Sequence, residues 1–99
     1  MTIDQIRSFY TIFICGSFTI TAMKLFRSQP AISNQIRLLE DELGAKLFIR
    51  VKPQFHERGI ILTSAGETFL PYAKQILELQ EEARQMVQGV PLRRSETND

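Results

Sequence analysis

Ser28-Gln29-Pro30-Ala31-Ile32-Ser33-Asn34-Gln35-Ile36-Arg37-Leu38-Leu39-Glu40-Asp41-Glu42-Leu43-Gly44 is the stretch that decides the fold of this 99-residue chain. Ser28 is a good helix N-cap, and Gln29-Pro30 fall in the first turn, where proline's missing N–H costs little. Ile32, Ile36, Leu39 and Leu43 recur at about 100° per residue and form one inward stripe. Gly44 stops the helix. Pro30, Ser33, Asn34 and Arg37 fall on the opposite side, with Gln29 at the opening edge, and no carboxylate enters before Glu40. One face is therefore core. The other carries small polar groups, an amide and a guanidinium, the chemistry that reads base edges from a DNA major groove.

Upstream, Thr2 and Gln5 have capping-box spacing, and Ile6, Phe9, Tyr10 and Phe13 follow at helical spacing. Ile12 and Ile14 lie off that stripe, so this first helix sits centrally or touches a second chain. Gly16 ends it. Ser17 or Thr19 opens a short second helix through about Phe26, with Phe18, Ala22 and Leu25 inward. Its run Thr19-Ile20-Thr21 is poor helix material, which tertiary packing must hold. Downstream, Leu47–Val51 and Ile60–Leu62 are β-prone and flank a basic loop bearing Pro53 and Gly59, a hairpin signature.

Thr63 or Ser64 then caps a last helix, with Ser64 and Glu67 in capping-box spacing. Phe69, Ala73, Ile76, Ala83 and Val87 mark an apolar seam broken by Gln80, with Leu77 on a flanking stripe. Gly89 and Pro91 end the helix. About 25 residues make roughly 37 Å of helix, more than so small a core can cover, and a projecting apolar seam calls for a partner. Helices, a tight turn and a hairpin follow the order of a winged helix-turn-helix. The expected fold is mainly α: three helices and a two-stranded β wing over residues 1–62, a linker and dimerisation helix over 63–89, and a disordered polar tail over 90–99.

Composition bounds the function. A chain of this length makes one domain. With Cys15 as the lone cysteine it holds no internal disulfide. Its apolar runs are too short to span a bilayer, and a signal-peptide pattern is missing, which points to the cytoplasm. One His and one Cys, without a glycine-rich phosphate loop or clustered ligands, speak against an enzyme and against a metal or cofactor site. The net charge is only +1, but residues 1–62 carry eight Lys/Arg against five Asp/Glu, and residues 63–99 carry four against six. Between Lys24 and Arg58, Glu57 alone opposes seven cations outside the Glu40-Asp41-Glu42 cluster. A local basic patch suits nucleic acid, although a solvated face has the same composition.

Gly16-Ser17-Phe18-Thr19, Ala22, Leu25, the run Ser28–Ile36, Leu39-Glu40, Leu43-Gly44, Leu47-Phe48, Arg50 and Leu62–Gly66 together closely resemble the N-terminal DNA-binding domain of LysR-type transcriptional regulators. The resemblance runs from about residue 2 to residue 88. It implies a winged helix-turn-helix and a linker helix that pairs antiparallel in a homodimer on a pseudo-palindromic double-stranded site. It also implies a larger effector-binding domain that this chain lacks. The family's base- and phosphate-contacting positions fall on Gln29, Pro30, Ser33 and Asn34, on Arg50 and Arg58 in the wing, and on Thr19 and Ser28 near phosphates.

Arg37 and Lys52 join this expected DNA-binding set on charge and position. Phe69, Ala73, Ile76, Leu77, Gln80, Ala83 and Val87 form the expected dimerisation set. Two departures stand out. Position 34 is often arginine in the family, and asparagine here suits a bidentate contact to adenine. The run from Val51 to Thr63 is longer than the usual wing, so Lys52, Gln54, Phe55 and His56 lack a family counterpart. The rival function is a protein–protein interaction module working through the last helix. It would call for an aromatic or aliphatic anchor near Ser33, Asn34 and Arg37, and none stands there.

Overall fold

Thr2 opens helix α1 (Ile3–Cys15) with the reciprocal box its spacing predicts. The Gln5 N–H donates to Thr2 Oγ1 at 3.0 Å, and the Thr2 N–H donates to Gln5 Oε1 at 3.2 Å. The computed structural model describes residues 1–91. After α1 come α2 (Phe18–Lys24), α3 (Gln29–Leu43), strands β1 (Phe48–Arg50) and β2 (Ile60–Leu62), and α4 (Ser64–Gln88). The strands pair antiparallel, Phe48 opposite Leu62 and Arg50 opposite Ile60. The expected tail falls from residue 92 onward outside the described residues.

Helix α1 packs against α2, α3 and α4, which explains why it is apolar on more than one face. Ile12, off the main stripe, is fully buried, so it offers no surface to a second chain; Ile14 stays half exposed. Ile6, Phe9 and Ile12 meet Ala22, Ile32, Ile36, Leu39, Leu47, Ile60 and Ala73 in one core. The Phe9 ring lies 5.2 Å from Phe48 and 5.1 Å from Phe69, centroid to centroid, joining α1 to the hairpin and to α4. Tilted and edge-on aromatic pairs of this kind add to their burial. On α3 the inward stripe holds at Ile32, Ile36 and Leu39, but Leu43, at the last turn, is exposed.

Helix α2 stops at Lys24 and not at Phe26. The Phe26 N–H donates to Met23 O at 3.3 Å and the Arg27 N–H to Ala22 O at 2.9 Å, the paired bonds of a Schellman cap. Its left-handed position is filled by Phe26, with φ 56°, and the ring is 94% exposed. A bulky residue there is strained, because its Cβ crowds the following carbonyl. Thr21 is fully buried with its hydroxyl unpaired.

Thr63, and not Ser64, caps α4. Its Oγ1 accepts the Gly66 N–H at 3.0 Å and donates to Lys46 O at 2.5 Å. The Thr63 N–H also donates to Leu47 O at 3.0 Å, tying the helix start to the chain entering β1. Gly66 is needed here, since a Cβ would lie 2.2 Å from Leu47 O. Pro71 sits inside α4 without ending it. It removes one intrahelical bond.

The first turns of α4 pack on the core through Phe69, Leu70, Ala73, Ile76 and Leu77. Beyond Glu81 every described residue is exposed. The molecule measures 62 × 26 × 22 Å with a radius of gyration of 17.0 Å. About 13 Å is usual for a compact domain of this size; the excess reflects the projecting helix.

Candidate nucleic-acid interface

Helix α3 starts where Ser28 Oγ accepts the Ala31 N–H at 3.2 Å, so that hydroxyl is engaged in capping. Gln29, Pro30, Ser33, Asn34 and Arg37 are all exposed on the face away from the core. The Thr19 hydroxyl donates to Gln29 Oε1 at 3.4 Å, which brings the exposed start of α2 to the start of α3. Arg37 donates to Asn34 Oδ1 at 2.6 Å and to Asp41 Oδ2 at 3.3 Å. Both contacts are exposed. Pairs of this type contribute little to stability, so the guanidinium can exchange them for another anion.

Between α3 and β1 runs an open groove of about 520 Å³, lined by Ser33, Arg37, Lys46 and Arg50, by the Glu40 carboxylate, and by apolar groups that include Phe18, Ile36 and Phe48. The Arg50 guanidinium carbon stands 5.4 Å from the Phe18 ring centroid, a cation–π contact that holds the charge beside the groove. Lys52 is exposed two residues further on. A smaller polar cleft of about 220 Å³ joins Ser17, Thr19, Gln29, Arg50 and Arg58.

Arg58 departs from expectation. Its guanidinium donates to Phe13 O at 2.7 Å and to Ile14 O at 3.4 Å, capping the C-terminal carbonyls of α1. Those orphan carbonyls and the negative helix end attract a cation. Gly16 lets it in: a Cβ there would stand 2.7 Å from Arg58 Cδ, and φ is 69°. Arg58 therefore fastens the wing to α1, with its guanidinium engaged by those carbonyls.

Glu40 escaped the sequence reading, where it belonged to an acidic cluster. It is buried, and its Oε2 accepts the Leu47 N–H at 2.7 Å. Lys46 Nζ stands 3.7 Å from its other oxygen. Glu40 thus ties the end of α3 to the entry of the wing. Its place four residues after Ile36, on the apolar stripe, was the available signal.

The expected dimerisation set divides. Ala73 is 0% exposed and Phe69 packs on the core, so α4 presents that side to its own chain. Ile76 and Leu77 are half-buried against the same core. Gln80 Oε1 accepts from Arg7 at 3.4 Å, within the chain. Ala83 and Val87 are exposed. The exposed apolar side chains of α4 are Tyr72, Leu79, Ala83, Met86 and Val87, with the half-buried Ile76 between Tyr72 and Leu79 and with Leu79 65% exposed; Ile76, Ala83 and Val87 are shared with the expected seam. The steps of four and three from Tyr72 to Met86 are those of a helix-pairing stripe. Beside it, hydrogen bonds from Arg84 to Glu81 hold that carboxyl below its ordinary value and raise the guanidinium.

Residues 3–67 match the family of bacterial regulatory helix-turn-helix proteins named lysR. The chain belongs to the LysR family. A relative described as a probable RuBisCO transcriptional regulator, from Cyanidioschyzon merolae, is 47% identical over 81 residues, covering 82% of this chain and 25% of the relative. Among solved structures, the CbnR DNA-binding domain in complex with DNA is similar with a TM-score of 0.76 and 36% identity, covering 89% of this chain and 95% of that one. The BenM DNA-binding domain, in complex with catB site 1 DNA, is similar with a TM-score of 0.78 and 33% identity, covering 89% and 93%. This LysR-family chain spans 25–32% of the length of the first curated relatives it matches. Its four helices and antiparallel wing are a winged helix-turn-helix. Among the described residues no helix is long and apolar enough to cross a membrane, and no group of three His, Cys, Asp or Glu could hold a metal ion.

Proposed function

We propose that this chain is the sequence-specific, double-stranded DNA-binding part of a cytoplasmic transcriptional regulator, and that it works by binding and not by catalysis. The observation that carries the proposal is the outer face of α3. Gln29, Ser33, Asn34 and Arg37 stand exposed in one row, and Arg50 and Lys46 flank the same groove. A row of amide, hydroxyl and guanidinium groups matches the donors and acceptors of a major groove, and the flanking cations match the phosphates beside it. Gln29, Ser33 and Asn34 would read bases; Pro30 would lie against the groove wall; Thr19, Arg50 and Lys52 would meet phosphates or the minor groove. Ser28 would act through its capped backbone, at a helix start suited to phosphate. The names of the DNA-complexed neighbours support the proposal.

A second copy would pair through α4, since Leu79, Met86 and their row are apolar and exposed. A two-fold axis there brings like surfaces together and sets two α3 helices on a pseudo-palindrome. Residues 1–62 would serve as the DNA-binding unit and 63–89 as the linker. The test is selection of duplexes from a random pool by the chain, followed by Asn34→Ala. Loss of about 1–3 kcal/mol, confined to one base step, supports base readout. Equal loss on every duplex makes Asn34 a backbone contact, and failure to select any duplex overturns the proposal.

A further inference from the structure

The loop between β1 and β2 carries an aromatic ring that folding leaves in water. Phe55 is 77% exposed at its tip. A surface phenylalanine on its own is ordinary, but this one is presented in a set way. Lys52 O accepts the Phe55 N–H at 2.9 Å and the His56 N–H at 3.3 Å, and His56 O accepts the Gly59 N–H at 2.9 Å. His56 Nδ1 accepts the Arg58 N–H at 3.2 Å. The base of the loop is closed by the Val51 N–H on Gly59 O at 3.0 Å. Its rear is fastened by the Arg58 guanidinium on the α1 carbonyls.

The surroundings of the ring indicate what it meets. Arg50 and Lys52 flank the loop against Glu57, with the α1-bound Arg58 behind them, a balance that favours a polyanion over an apolar protein surface. The loop is also continuous with the proposed interface, since Arg50 shares one groove with Ser33 and Arg37 of α3. A helix in a major groove leaves the neighbouring minor groove to the element beside it, and that element is the wing. The minor groove is about 6 Å wide, too narrow for a helix but open to a loop tip. Apolar side chains entering it unstack one base step and kink the duplex toward the major groove.

We propose that Phe55 is a minor-groove wedge: the extended wing inserts its ring at a flexible pyrimidine–purine step, so specificity there comes from deformability and not from hydrogen bonds. This rests on the DNA-binding proposal above. The test uses the intact chain and a duplex it selects from a random pool, with 2-aminopurine placed at each step of the flanking minor groove in turn. The wild-type chain should raise fluorescence at one step and bend the duplex in a circular-permutation gel. Phe55→Ala should abolish both signals and weaken binding roughly tenfold to a hundredfold, the scale of aromatic–base contacts removed by alanine. Its salt slope should not change, because no phosphate contact is lost. Phe55→Leu, still apolar, should restore much of the bend.

Phe55→Ala binding and bending like the wild type overturns the wedge. So does weaker binding with an unaltered bend and silent 2-aminopurine, which would make the ring a lateral contact. Either result leaves the DNA-binding proposal intact if Asn34→Ala still alters base preference. Failure to select any duplex removes both.

Discussion

Replacing Glu40 by alanine should separate the wing from the recognition helix and show how strongly one hydrogen bond holds them. Glu40 is buried, and its Oε2 accepts the Leu47 N–H at 2.7 Å, directly before β1. Leu47 itself is 1% exposed, so water cannot easily replace the lost acceptor. An orphaned buried donor costs about 1–3 kcal/mol, and a bond to a charged acceptor lies toward the upper end. The Lys46 contact adds little, because that ammonium is largely solvated. We expect Glu40→Ala to lower stability by about 2–3 kcal/mol, which for a domain of this size lowers Tm by roughly 8–24 °C. Glu40→Gln keeps a carbonyl acceptor and should lose about 1 kcal/mol or less.

Urea denaturation followed by circular dichroism measures both, with an unchanged m-value confirming that the end states are the same. Glu40→Ala should also weaken DNA binding at temperatures where it remains folded, because Arg50 ends β1 and Phe55 follows it. An alanine variant within about 0.5 kcal/mol of the wild type, the ordinary range for surface substitutions, would refute the link. Equal damage from alanine and glutamine would show that charge, and not the hydrogen bond, is what matters.

Phe26→Gly should stabilise the chain by about 0.5–1 kcal/mol, because glycine takes the left-handed cap without a Cβ penalty; a fall in Tm would mean the exposed ring has a structural role. Arg58→Ala should lower stability by about 1 kcal/mol through loss of the α1 cap while leaving the salt dependence of DNA binding nearly unchanged. Arg50→Ala should do the reverse, reducing the salt slope by about one unit, and identical slopes for the two variants would erase the distinction drawn between them. Leu79→Glu should yield monomers that keep helical content and lose tight binding to a two-half-site duplex. Sedimentation equilibrium checks this, and an unaltered chain that is already monomeric at high micromolar concentration would count against pairing through α4.

Much of the fold could be read locally. Thr2 with Gln5, Gly16, Ser28 with Pro30, and Gly44 mark helix ends through bonds that span three to five residues, so the chain states them without tertiary help. The outer face of α3 followed from period alone, since Ile32, Ile36 and Leu39 had to turn inward and left Ser33, Asn34 and Arg37 outside. Other features were decided only by tertiary packing. Arg58 meets Phe13 and Ile14 across more than forty residues, so its guanidinium caps α1. Glu40 looked like part of an acidic surface until Leu47 came to lie against it. On α4, period located an apolar seam through Phe69, Ala73, Ile76, Ala83 and Val87 with Leu77 flanking it, but could not say which part of it faces the chain's own core. The packing of Phe69 and Ala73 against α1 settled that, leaving Leu79 and Met86 outward. Phe26 shows the limit from the other side: its propensity opposes a left-handed turn, yet burial of Ala22 and Ile32 on either side of it outweighs about 1–2 kcal/mol of local strain. Periodicity specifies which faces of a helix are apolar, and three-dimensional proximity specifies what each face meets.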